Sequence, residues 1–464
     1  MSFRPLLHGI ALTSTLLALP ALAMAASSDS TYSDPALTAS TAPPWRPPLP
    51  VSRAETWETV LRFPGRVLSL PLVALGNFAE SNMVEAEQSS SIDDLIVSFA
   101  RSRKWGVMVL PASLGDGTGL GGEVRWAPTW AGVRLSAGLS GSVEHYNRTR
   151  ISADRGPVSL AYQSDWRPSD SYFGTGISST AAGESNYGEY IESATIGLTW
   201  VRRTVDSVAV RKLAELRLPF ALPKPRVNGT RLNLRAGPRA AAMTPGRDPR
   251  DLSFERVHPA EAAGSLDRRV EHFTYGAGLS HDERKGIPHW SQGWRASVDV
   301  ERHDRAIEAL ALRDAHSDAR SFGRATYEGE AGASFGRDPR TLRLAVRVVD
   351  QRIDSGSGTF LLADLATLGG GEGLRGYEPN RFRDLDAVLT RLTYIYPLAK
   401  NFELELHGES GGVYPNLGSV RLSTFRSSFG ASLRVRTELA VYGLVGFDRS
   451  PEGTRLRFSI GGDE

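Results

Sequence analysis

The feature that most constrains this chain is a two-residue alternation of apolar and charged side chains, sustained in segment after segment from Lys104 to the end. In NFELELHGESGGVY, Phe402, Leu404 and Leu406 fall on one side, and Glu403, Glu405, His407 and Glu409 on the other. TLRLAVRVV sets Leu342, Leu344, Val346 and Val348 against Arg343, Ala345, Arg347 and Val349. WRASVDVE sets Trp294, Ala296, Val298 and Val300 against Arg295, Ser297, Asp299 and Glu301, and LRFSI sets Leu456, Phe458 and Ile460 against Arg457 and Ser459. Side chains alternate faces along a strand, so each segment has one greasy and one charged face.

A soluble sandwich alternates as well. Two features count against it here. The segments are long, mostly about ten to seventeen residues, where strands of soluble domains run about five to six. The pattern also repeats over about 360 residues with no helix between strands, and only closure into a barrel pairs every backbone group of a sheet standing in hydrocarbon. Strands are expected near 104–112, 118–127, 132–146, 150–166, 186–202, 206–220, 226–243, 267–283, 289–305, 320–336 and 339–354. After a long loop come 385–397, 401–414, 425–438, 440–448 and 453–462. The expectation is an all-β fold, a sixteen-stranded antiparallel transmembrane β-barrel with a short N-terminal helical segment.

The N-terminus supplies the export route. MSFRPLLHGIALTSTLLALPALAMAA has a basic start at Arg4, an apolar run from Leu6 to Leu22 broken by Pro20, and a small-residue cleavage pattern at Ala23-Met24-Ala25. This reads as a signal peptide over 1–25. Residues 26–52, ending in PPWRPPLP, read as an extended linker. Over 53–103, Trp57, Val60, Leu61, Leu68, Leu72, Leu75 and Phe78 recur at helical spacing around Pro64 and Pro71. That predicts short kinked amphipathic helices, a periplasmic lid or plug, with membrane-surface binding as the rival. The barrel takes 104–464.

Composition excludes several functions. With no cysteine there are no disulfides and no cysteine-held metals. Removing Arg4 from the 54 basic residues leaves 53 against 52 acidic ones, a net charge of +1, which argues against a nucleic-acid binder. The nine histidines show no zinc spacing, so no metal or cofactor is expected. His281-Asp282 and His303-Asp304 read as surface residues near strand ends. Gly408-Glu409-Ser410-Gly411-Gly412 fits a nucleophile elbow by letter, but the elbow needs a strand-turn-helix setting and this stretch sits within an alternating strand. No catalytic residue is assigned. Gly117-Thr118-Gly119-Leu120-Gly121-Gly122 reads as a hairpin of small residues, because strand rather than helix follows it.

The longest break in the alternation runs from about Leu361 to Leu385 and contains GGGEGLRGYEPNRFRD. Loops of that length are uncommon and usually functional. Leu374-Arg375-Gly376-Tyr377 resembles the (V/I/L)-R-G-(F/Y) loop signature of the bacterial surface-antigen superfamily. That superfamily holds the barrel-assembly protein of the outer membrane, its translocation-and-assembly relative and the two-partner secretion transporters. Its members have sixteen strands with the signature in the sixth external loop, and the tally here gives eleven strands before the motif and five after. SYFGTGISST, Ser171 to Thr180, is similar to a segment that many members carry after the fourth strand.

The resemblance implies that the loop folds into the lumen, where its arginine meets an acid in a wall motif of the type (F/G)-x-D-x-G. His407-Gly408-Glu409-Ser410-Gly411 keeps the acid as Glu409 and the last glycine as Gly411. Arg375 is therefore expected to anchor the loop on Glu409 through its two-pronged guanidinium. The resemblance further implies a non-enzymatic role at the outer membrane of a Gram-negative bacterium, in inserting or moving proteins or lipids. The implied partners are outer-membrane lipids, unfolded outer-membrane or secreted polypeptides, and the barrel-assembly machinery for the protein's own insertion. The family's periplasmic polypeptide-capture domains have no counterpart in 26–103. A passive porin is the alternative, and an outer-membrane lipid hydrolase a third reading.

Overall fold

The computed structural model describes residues 107–112, 121–126, 129–203, 228–247, 252–286, 291–305, 319–335, 340–399, 402–436 and 441–460. The signal peptide, the linker, the expected helices of 53–103 and the strand expected at 206–220 lie outside the described residues.

Sixteen wall strands follow one another along the chain: β1 Val107–Ala112, β2 Gly121–Trp126, β3 Val133–Ser142, β4 Asn147–Arg155, β5 Val158–Tyr172, β6 Ser185–Arg203, β7 Gly229–Pro245 and β8 Arg268–Asp282. Then come β9 Gly293–Arg305, β10 Phe322–Phe335, β11 Arg340–Ile353, β12 Asp386–Ala399, β13 Phe402–Tyr414, β14 Arg426–Arg436, β15 Val441–Ser450 and β16 Gly453–Ile460. All belong to one sheet, and neighbours in sequence pair antiparallel.

Among the described residues the wall has sixteen strands, the number expected, but one of the expected strands is divided in two. The stretch 150–166 is not one strand: Gly156, at φ +59°, turns the chain between β4 and β5. Arg203 pairs with Gly229 and the ladder runs on to Tyr187 and Pro245, so β6 and β7 are direct neighbours in the wall. With the turn at Gly156, SYFGTGISST follows the fifth strand rather than the fourth.

The polarity of the sheet is inverted relative to a soluble protein. Leu139, Ile151, Leu160, Ile196, Leu279, Val300, Leu392, Phe429, Val445, Leu456 and Phe458 stand exposed on its outer face. Asp165, Glu189, Arg343, Gln351, Glu403, Glu405, Glu409, Arg434 and Asp448 are buried on its inner face. Charged residues are almost never fully buried without partners, and contiguous exposed apolar surface on this scale has no place in water. An apolar outer band around a polar interior is the arrangement of a transmembrane β-barrel. The sheet curves far enough for distant parts of the chain to meet: Arg426 of β14 donates to the Ile177 carbonyl in the segment after β5 at 3.2 Å.

The loop between β7 and β8 carries two short helices that the sequence reading missed, α1 Phe254–Val257 and α2 Pro259–Ser265. Phe254 packs with Tyr172, Tyr187, Met243 and Leu361 in a fully buried cluster. His303 is not a surface residue. It is 4% exposed, stacks on Phe322 and bonds Thr274 and Glu301 within the inward network.

Candidate functional site: the inward loop and its wall anchors

The loop between β11 and β12 has its own architecture. Ala366–Leu368 and Phe382–Asp384 pair as a small antiparallel hairpin, and short 3-10 turns cover Leu362–Asp364 and Gly370–Glu372. Gly369 and Gly373 have φ of +124° and +126°, a region that only glycine enters without strain, so the glycine run is what lets the chain reverse here. Leu374 sits at φ +59° in the left-handed region and is fully buried. That conformation costs about 1–2 kcal/mol for a side-chain-bearing residue. It is held by a cluster of Leu374, Tyr377 and Phe382 with the wall residues Val349, Ala387, Leu389 and Val413. The loop thus has a hydrophobic core of its own inside a polar bore.

The four motif residues have distinct positions. Leu374 and Tyr377 are buried in that cluster, Tyr377 lying edge-on to Phe382 at 5.1 Å. Gly376 lies so close to β15 that a Cβ there would stand 2.7 Å from the Arg449 carbonyl carbon and 2.9 Å from the Ser450 nitrogen. The Ser450 hydroxyl donates to the Gly376 carbonyl at 2.7 Å. Arg375 turns toward β13, where its backbone N–H donates to Glu409 Oε2 at 2.6 Å. Gly411, the last residue of the wall motif, allows β13 to approach β12: a Cβ there would meet the Val388 carbonyl oxygen at 2.4 Å.

The expected fork between Arg375 and Glu409 takes a different form. Arg375 Nε stands 3.6 Å from Glu409 Oε1, and Nη1 stands 3.5 Å from Glu405 Oε1, so the guanidinium bridges two acids on one strand. The tight partner of Glu409 Oε1 is Arg391 of β12, whose Nε donates at 2.5 Å. Ser428 of β14 donates to Oε2 at 3.1 Å. Glu409 is 3% exposed and collects bonds from both neighbouring strands and from the loop backbone. Glu405 is shared in turn by Arg434 at 3.1 Å and Arg457 at 3.6 Å, while His407 bonds Asp448 at 2.6 Å. Burial, followed by the neighbouring Arg391 and Arg457 cations, pushes the Arg375 guanidinium down to about 10, so it stays charged at neutral pH.

A two-pronged grip does exist, on a different arginine. Arg381 is 1% exposed, and its Nε and Nη2 donate to the two oxygens of Glu452 at 2.9 and 2.8 Å. Nη1 and Nη2 also donate to the Ser179 hydroxyl and carbonyl, both at 2.8 Å. Its guanidinium carbon lies over the rings of Phe173 and Phe382, 4.7 Å from each centre. Arg383 donates to the Tyr187 hydroxyl, and its carbonyl accepts from the Gly176 N–H at 2.7 Å. The SYFGTGISST segment therefore packs directly on the loop. Both segments were singled out from sequence, and their contact was not. Arg391, Ser428 and Glu452 escaped the sequence reading too, and Glu405 and Arg381 were seen there only as an inward-face acid and a loop arginine, not as anchors. The available signal was strand parity, which puts Arg391 and Glu405 on inward positions, and the triple arginine of the loop.

Between the loop and the wall of β6 to β11 lies a chamber of about 670 Å³. It is lined by Glu189, Arg231, Arg295, Asp299, Glu328 and Arg347 of the wall and by Thr367, Asn380 and Arg383 of the loop. Arg235 at its side holds Asp299 and Glu301 together. Ser410 is set within β13 opposite Ser427 of β14, and only two three-residue 3-10 turns, Leu417–Ser419 and Leu422–Thr424, separate the two strands. Among the described residues no group of acids and histidines has the arrangement to hold a metal ion.

No family model matches the chain, and no curated protein does. Solved structures do. BamA from Haemophilus ducreyi lacking POTRA domains 1-3 is 13% identical with a TM-score of 0.46, over 81% of this chain and 78% of that one. CdiB from Escherichia coli is 11% identical with a TM-score of 0.44, over 76% of this chain and 61% of that one. The similarity is one of fold.

Proposed function

We propose that this protein is an outer-membrane barrel of the surface-antigen type, which assists the insertion or translocation of polypeptides or lipids without enzymatic chemistry. The observation that carries the reading is the loop itself. An LRGY-bearing segment with its own buried core is seated in the bore and anchored at once to β13, β15, the β15–β16 turn and the segment after β5. A passive pore gains nothing from so many contacts to one loop, whereas a machine that must hold its bore shut and release it does. Outer-membrane lipids surround the apolar band. Unfolded outer-membrane or secreted polypeptides are the cargo, and the barrel-assembly machinery inserts the protein itself. Depleting the protein and profiling outer-membrane proteins and lipids tests this: selective loss of a subset of either is expected, and an unchanged outer membrane refutes it.

The porin reading draws on the polar chamber beside the loop. Single-channel conductance separates the two. Low conductance that rises when Arg375 and Glu409 are both substituted fits a held loop. A large steady conductance indifferent to those substitutions fits a porin.

A further inference from the structure

The residue that grips hardest in the loop is not in the motif. Arg381 uses Nε, Nη1 and Nη2 in four hydrogen bonds, lies over two aromatic rings, and is almost wholly buried. An arginine that merely decorated a hydrated bore would keep its guanidinium in water, since an exposed pair contributes little. Planar two-pronged recognition of a carboxylate beside aromatic rings is a geometry lysine cannot reproduce. What Arg381 joins is informative: Glu452 lies in the turn between β15 and β16, 71 residues on, and Ser179 follows β5, 202 residues back. The last hairpin is tied to the loop at two further points. Arg455 of β16 pairs with Glu378, and Gly376 lies against the backbone of Arg449 and Ser450.

We propose that Arg381 is a positioning residue that fastens the inward loop to the last β-hairpin, so that β15–β16 and the loop shift as one body. This rests on the reading in which the loop is seated in the bore to be released. The Glu409 anchor fixes the loop to the wall at β13, and the Arg381 anchor makes the position of the last hairpin depend on the loop. A force that moves the hairpin is then transmitted to the loop through Glu452.

The absence of cysteine from the whole sequence makes the test clean. Spin labels at Thr367→Cys in the loop and Thr454→Cys in β16 report the loop-to-hairpin distance in barrels reconstituted in phospholipid vesicles. Arg381→Lys keeps the charge and loses the fork, and Glu452→Gln keeps the size and loses the charge. Each is expected to broaden the distance distribution and to speed protease cleavage of the loop by about tenfold, the change that about 1.4 kcal/mol of local opening gives. The double variant is expected to be no worse than the more damaging single one, because both remove the same contact. Unchanged distances and cleavage in both single variants, or additive effects in the double, overturn the proposal. Glu409→Gln in the same assay separates the two levels. If it releases the loop while the Arg381 variants do not, only the hairpin coupling fails. If nothing releases the loop, the reading beneath it fails.

Discussion

Replacing Glu409 by Gln is the sharpest single perturbation of the loop's seat. The side chain keeps its shape, but one oxygen becomes an NH2 group. In the native site both oxygens accept only: Oε1 from Arg391, Oε2 from the Arg375 N–H and from Ser428. Whichever way the amide is turned, it faces a donor with a donor. Removing one partner of a buried ion pair costs about 3–5 kcal/mol. Here the side chains of Arg375 and Arg391 are 17% and 24% exposed, so both cations regain part of their hydration. That places the loss at the low end, about 2–3 kcal/mol, since a hydrogen bond to a charged group contributes about 1.5–3 kcal/mol. Much of this falls on loop release, because the Arg375 N–H is the direct bond from loop to wall. The open population then rises roughly 30- to 150-fold at about 1.4 kcal/mol per tenfold. Thr367→Cys, on the chamber side of the loop, gives a maleimide-labelling rate proportional to that population. Heat-modifiable migration on a gel checks in the same samples that the barrel is still folded. A folded Glu409→Gln barrel that labels at the parental rate would refute the reasoning and leave the loop's seat to the cluster around Leu374 and Tyr377 and to the contacts of Gly376 and Arg381.

Two further outcomes follow from the geometry. Gly376→Ala places a methyl group within 3 Å of the β15 backbone, where neither side yields as a flexible side chain would, so loop labelling should rise by an amount corresponding to about 1–3 kcal/mol of overpacking; a parental rate would mean the loop does not rest on β15. Leu392→Arg, on the outer face near the middle of β12, should lower the folded fraction in vesicles by about 2–4 kcal/mol, whereas Ser297→Arg, lining the chamber, should cost far less; equal penalties at the two positions would contradict the assignment of lipid and lumen faces.

The sequence by itself determined which face each strand shows to lipid and which to the bore. Alternation is a local property, and a strand carries it wherever its neighbours are, so Leu342 and Arg343, or Leu456 and Arg457, needed no tertiary information. The same holds for the loop: its glycines and its four-residue motif are consecutive, and their place between the eleventh and twelfth strands survived an error in the count before them. That error was itself local, a Gly-Pro turn read as strand. Parity names a face but not the neighbour opposite. Several arginines can reach one carboxylate across a narrow bore, and only the curvature of the sheet decides among them. It gave Glu409 to Arg391 and the Arg375 backbone, spread the Arg375 guanidinium over Glu405 and Glu409, and handed the two-pronged grip to Arg381 and Glu452. Those partners stand far apart in the chain and share no local pattern. Bringing Ser179, Arg381 and Glu452 to one point required the whole wall to be built first.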